Sequence, residues 1–250
     1  MNTAVSRPRW IWLCIALAAI GTARAQGPTV APVVGNCRIE ANTACANRNF
    51  GKADLAGANL EGASLMGSNF TSGTLQGANL TKADMRAAIL GGTDLSGANM
   101  SLANLNSANM RGANVSRADL RRANLSGANL SEAKLSRADM SGATMSGAIL
   151  HAAVLEQAIL EDATLEGADL TDANLAHADL KSANLSRVDF ERADLRNADL
   201  TGASLVGANL AGADFAGAVV KDVDFTRAKL NGAKWVDGKI CARESVGACR

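Results

Sequence analysis

From Phe50 to Trp235 every fifth residue is large and apolar, and the register never slips. The comb runs Phe50, Leu55, Leu60, Leu65, Phe70 and onward to Leu230 and Trp235. All five Phe of the chain lie on it, and Leu102 is the one leucine in the span that does not. An α-helix turns about 500° in five residues, so successive comb residues would smear round its surface. In a flat strand an odd step sends alternate comb residues to opposite faces. One core forms only if the chain bends after every few residues and each five-residue side starts afresh. A fixed short period of this kind announces a coiled solenoid.

A second channel agrees. Two residues before each comb position the residue is small, and from 53 to 233 only Ser68, Gly73, Thr93, Val188 and Val223 depart from Ala. Residues i and i−2 share a face on an extended side, so large and small side chains alternate inward. The residue between them is mostly Asp or Asn, types that bond their own backbone in turns. The two residues after the comb are mostly Gly, Ser, Thr or charged, and they read as solvated corners.

Runs such as Ala58-Asn59-Leu60, Ala123-Asn124-Leu125 and Ala193-Asp194-Leu195 resemble the pentapeptide-repeat family. The resemblance covers residues 50–235. It implies an all-β fold: a right-handed quadrilateral β-helix, one pentapeptide per side and twenty residues per coil, with about nine coils. At the usual interstrand spacing of about 4.8 Å such a rod is roughly 45 Å long. The ending from Trp235 through Cys241 to Cys249 is similar to that of exported bacterial members of the family.

The expected organisation is a signal peptide over 1–25, an N-terminal cap over 26–49, the β-helix over 50–235 and a C-terminal cap over 236–250. Arg7 and Arg9 precede an apolar run from Trp10 to Ile20, and Ala23-Arg24-Ala25 offers a cleavage site before Gln26. The run is short for a membrane span of about 20 residues. An uncleaved N-terminal anchor is the alternative.

Export makes the cysteines readable. The mature chain keeps Cys37, Cys45, Cys241 and Cys249, two flanking each end of the repeats with equal separation. Four cysteines allow three pairings. A rod of that length keeps its ends too far apart for a bond, which needs Cα atoms within about 7 Å. The expected disulfides are therefore Cys37–Cys45 and Cys241–Cys249, one closing each exposed solenoid end. Free thiols and a split zinc site are the alternatives, and no His accompanies either pair.

Charge is informative by position. Without Arg7, Arg9 and Arg24 the chain holds 22 basic against 24 acidic residues. Residues 111–137 carry a surplus of four positive charges, and 138–180 carry eight carboxylates with no Lys or Arg. On a rod these become a basic and an acidic belt. Solvated faces are the plain account, and docking surfaces the sharper one. The candidate partner-binding site lies where the outward pattern breaks. Ile149, Val154 and Ile159 replace the usual Asp or Asn at the start of an acidic stretch formed by Glu156, Glu161, Asp162 and Glu166.

No catalytic constellation stands out. His151 and His177 occupy outward positions on different sides, and Glu161-Asp162 is a pair of neighbouring surface carboxylates with no pocket to desolvate it. No catalytic, cofactor or metal site is expected. The function expected is an exported, non-enzymatic structural or protein-binding rod, whose partner is a protein or an envelope component. Nucleic acid is not expected to bind, nor a membrane after cleavage. The alternatives are an enzyme, or the family's cytoplasmic DNA mimics that protect topoisomerases, which need a strongly acidic, unexported chain.

Overall fold

Most five-residue sides account for all five of their backbone donors, and that accounting sets the coil. Around Leu130, the amide of Asn129 donates back to Ala108 O at 2.9 Å, and that of Leu130 forward to Ile149 O at 2.6 Å. Glu132 N–H donates to His151 O at 2.9 Å, and Ala133 N–H closes a turn onto Leu130 O at 3.0 Å. The fifth donor, Ser131 N–H, goes to the Oδ1 of Asn129 at 3.0 Å. Buried backbone groups demand partners, and here the neighbouring coils and one side chain supply them.

This is seen in a computed structural model that describes residues 33–34 and 36–250. The expected signal peptide and its junction at Gln26 lie outside the described residues. Parallel bridges join each outward residue to the one twenty places on, in four ladders that start at Ala44, Asn49, Asp54 and Asn59. The twenty-residue period expected from the family resemblance is therefore present. The laddering begins at Ala44, slightly earlier than the expected start at Phe50, and Cys45 fills a comb position with 2% exposure. No helix among the described residues is long and apolar enough to cross a membrane.

The comb and the small channel fill the interior. Leu60 through Phe215 are buried at every comb position, with the Ala two residues earlier buried beside nearly all of them. Comb residues stack on their partners twenty residues away, as Phe50 and Phe70 do with ring centroids 4.8 Å apart. The departures from Ala are accommodated locally. Ser68 Oγ donates to Cys45 O at 2.9 Å, and Thr93 Oγ1 to Phe70 O at 2.8 Å, so neither buried hydroxyl is left unpaired. A Cβ at Gly73 would lie 3.0 Å from Ala53 O and 3.1 Å from Phe70 O.

Both ends are closed as expected. The hairpin of β1 (Val33–Val34) and β2 (Cys37–Arg38) precedes the first coil, and Cys37 is bonded to Cys45 with Cα atoms 5.6 Å apart. At the other end the chain turns back antiparallel, with Ile240 bridging Lys234 and Val246 bridging Lys229. Cys241–Cys249 ties that return, its Cα atoms 4.9 Å apart. Phe215, Phe225 and Trp235 pack together beneath it, with centroids 5.3–6.4 Å apart.

Candidate binding surface

With the interior filled, only the outward residues and the corners can differ from coil to coil. The second corner residue is left-handed on side after side, for example Gly142 at φ 64° and Arg122 at φ 56°. The first corner residue donates its N–H to the Asp or Asn two places earlier: Ser101 to Asn99 at 3.0 Å, Arg121 to Asp119 at 3.0 Å. This device fails at single sides such as those of Ile89 and Lys134, and it fails at five sides in succession around one level of the rod. Thr144, Ile149, Val154, Ile159 and Thr164 occupy the outward positions there, and the corner amides of Ser146, His151, Glu156, Glu161 and Glu166 find no acceptor among the described residues. Five consecutive corners thus present unclaimed donors to solvent.

The three apolar residues of this girdle do not come together. Ile149 lies in the ladder between Asn129 and Asp169, Val154 between Lys134 and Asn174, and Ile159 between Asp139 and Asp179. Four ladders close one coil, so each successive side turns by about a quarter-turn, and Ile149 and Ile159 face opposite ways. They are 41% and 39% exposed. The apolar residues therefore form a ring on three successive sides, and a partner approaching from one direction meets two of them at most.

The acidic belt is also less bare than its sequence. Glu166 pairs with Arg187 one coil on. Arg192 grips Asp172 at 2.7 and 2.8 Å, and Lys181 lies 2.9 Å from Asp179 and 3.3 Å from Asp199. The bond from Arg192 holds the Asp172 carboxyl below the usual range, and the bonds from Asp179 and then Asp199 raise the Lys181 ammonium. Arg121 treats Asp119 the same way across a bidentate contact of 2.9 and 2.5 Å. Glu156, Glu161 and Asp162 form no ion pair among the described residues, and Glu161 and Asp162 share one corner.

That corner is a groove of about 430 Å³. Down it run Ser101-Leu102, Arg121-Arg122, Ser141-Gly142 and Glu161-Asp162, each pair one coil beyond the last. Leu102, the leucine that misses the comb, borders it, 48% exposed and left-handed at φ 61°. The sequence marked Leu102 as irregular, but only the twenty-residue coil places it beside both charge belts. His151 sits 4.0 Å from Asp172 at one corner, and His177 lies at another. Among the described residues no group of three or more His, Cys, Asp or Glu is placed to hold a metal ion.

The pentapeptide-repeat pattern matches in overlapping stretches that run from residue 49 to 232. The chain belongs to the pentapeptide-repeat family. Among solved pentapeptide-repeat proteins, HetL of the cyanobacterium Nostoc sp., involved in heterocyst differentiation regulation, matches with a TM-score of 0.64 at 33% identity, over 81% of this chain and 91% of HetL. QnrB1, a plasmid-mediated fluoroquinolone resistance protein, gives 0.47 at 17% identity over 81% and 86%. A pentapeptide-repeat protein of the Arabidopsis thaliana thylakoid lumen gives 0.30 at 29% identity over 44% and 79%. Comparison with curated proteins yields no match. As a pentapeptide-repeat protein the chain has a non-enzymatic fold, and what distinguishes it from its relatives must lie on its corners and outward sides.

Proposed function

We propose that this pentapeptide-repeat protein is an exported rod, a right-handed four-sided helix of about nine coils, that holds a protein or envelope component against its outer surface. The observation that carries the binding role is the girdle from Thr144 to Thr164, where five sides in succession give up the corner bond that stabilises most others. Local rules broken together at one level of a regular fold point to function rather than to folding. The Leu102 groove adjoins the girdle and sets opposite charges about two coils, or roughly 10 Å, apart, which suits steering of a dipolar partner surface.

Export is supported by the end disulfides, since such bonds persist in oxidising compartments. The leader over residues 1–25 supplies the route. The DNA-mimic reading is not adopted, because arginines and Lys181 clamp several of the carboxylates that it would need bare.

Two measurements test the proposal. N-terminal sequencing of protein recovered after export should begin at Gln26; a full-length cytoplasmic chain would refute the compartment. Cross-linking from the Leu102 corner in envelope extract should yield one partner, and Glu161→Lys with Asp162→Lys should abolish it at low salt. Retention of the same partner by the reversed corner at low and high salt alike would show that this surface is merely solvated.

A further inference from the structure

The corner on the other side of the Asn59 ladder carries a different chemistry. Ser96, Ser116 and Ser136 stand there one above another, each twenty residues on, with Gln76 beyond Ser96. Adjacent rungs are about 4.8 Å apart, so this polar ledge runs roughly 14 Å along the rod edge. It forms a groove of about 480 Å³ whose remaining wall is Arg117 and Arg137. Gly97 lies in the same column, and nothing within 4 Å would meet a Cβ there, so the trough is open above the ledge.

Two features combine in this groove. Most corner arginines are occupied: Arg86, Arg111, Arg121, Arg187, Arg192 and Arg196 each pair with a carboxylate. Arg117 and Arg137 pair with none among the described residues. Arg137 instead donates its Nε to Gln157 Oε1 at 2.8 Å, which fixes the side chain and leaves its terminal nitrogens available. Several corner serines spend their hydroxyls on their own side, as Ser101, Ser131 and Ser141 do on Asn99, Asn129 and Asp139. The hydroxyls of Ser96, Ser116 and Ser136 make no such bond. Lys134, two places before Ser136, adds positive charge, and Glu156, one coil beyond, bounds the groove.

We infer that this groove binds an acidic polysaccharide, with the sugar hydroxyls on the serine ledge and an acidic group between Arg117 and Arg137. Two arginines on adjacent rungs, with backbones about 4.8 Å apart, can share one carboxylate or sulfate through charge-assisted hydrogen bonds. A free oxyanion would use only the arginine end and leave the ledge idle. A single-stranded nucleic acid would want aromatic platforms, and none of the lining residues is aromatic. A peptide anchor would want an apolar pocket, and the lining is serine, glutamine, glycine and arginine. The chemistry of the groove stands apart from the Leu102 corner; export would only explain how the rod meets such a polymer.

The test uses the purified full chain and calorimetric titration with tetra-galacturonate, a carboxylated glycan, at low salt. Saturable binding is expected, weakened at least tenfold by Arg117→Gln with Arg137→Gln. Ser116→Val, which keeps the charge, should weaken it about threefold. Arg122→Gln, on the neighbouring corner without a serine ledge, should leave it unchanged, and far-UV circular dichroism should show every variant folded. The inference is overturned by absent binding, by equal binding of neutral dextran, or by equal loss in Arg122→Gln. Tighter, arginine-dependent binding of single-stranded DNA would overturn it in favour of a nucleic-acid groove. None of these outcomes bears on the export or cross-linking tests above.

Discussion

Leu130→Asp tests the inward assignment, and its cost can be worked out in advance. Leu130 is fully buried at a comb position one coil from Met110 and one from Leu150. Losing a buried leucine side chain costs about 2–5 kcal/mol. The introduced carboxyl must also stay neutral in an apolar interior or be charged there at still greater cost. If burial raises its pKa from about 4 to about 7, holding it protonated at pH 7 costs roughly 4 kcal/mol, at 1.36 kcal/mol per unit. The sum, about 6–9 kcal/mol, rivals the whole stability of an ordinary domain, about 5–15 kcal/mol.

The sign of the pH effect follows. An acid whose folded pKa is raised binds more protons folded than unfolded, so acid should rescue the variant. Between pH 7 and pH 5 it should regain up to roughly 2.7 kcal/mol relative to the parent. Urea unfolding followed by circular dichroism at both pH values reads this directly. Arg122→Asp, at an exposed corner without an ion pair, should change stability by less than about 0.5 kcal/mol. If the two variants unfold at the same urea concentration, or if acid gives Leu130→Asp nothing, the inward assignment is wrong.

Other outcomes are expected. Gly73→Ala should destabilise by about 1–3 kcal/mol, because its Cβ would crowd two backbone carbonyls at 3.0 and 3.1 Å; urea midpoints check it. Val154→Asn should restore an acceptor for the Glu156 amide and stabilise by about 0.5–1.5 kcal/mol, read as a rise in thermal midpoint. Reduction of Cys37–Cys45 and Cys241–Cys249 should raise hydrogen exchange in the terminal coils before the central ones, because solenoid contacts are nearest-neighbour. The Asp84, Asp119 and Asp194 carboxyls are held low chiefly by hydrogen bonds from Arg86, Arg121 and Arg196. Their contribution is complete above about pH 4 and is lost as pH falls through the lowered values, so acid titration should show stability declining only below that point.

The inward half of the fold was legible because burial tolerates few residue types. A comb of Leu, Phe and Met with Ala two places before it has one solution, and the disulfides follow once the ends are known to be apart. Some detail was hidden. Cys45 belongs to the comb, but a cysteine there reads as a cap until the bridge from its neighbour Ala44 to Ser64 shows the coil already under way. The Asp and Asn residues were read as turn formers, but their task is narrower: each accepts the one amide that the neighbouring coils leave unbonded.

That narrower task changes how the surface is read. Ile149, Val154 and Ile159 look like one apolar stretch in the sequence, yet a step of five residues is a quarter-turn, so neighbours in sequence diverge in space. Contiguity on this rod has a period of twenty. Leu102, Arg122, Ser141 and Asp162 share a corner because they are about twenty residues apart, and Ser96, Ser116 and Ser136 share another for the same reason. The acidic run from Glu156 to Asp179 looks bare in the sequence for the same reason, since Arg187 and Arg192 lie one coil beyond Glu166 and Asp172, which they neutralise. A binding surface on such a rod is therefore written down the columns of the coil, and single deletions of five residues should scramble it while leaving the core pattern intact.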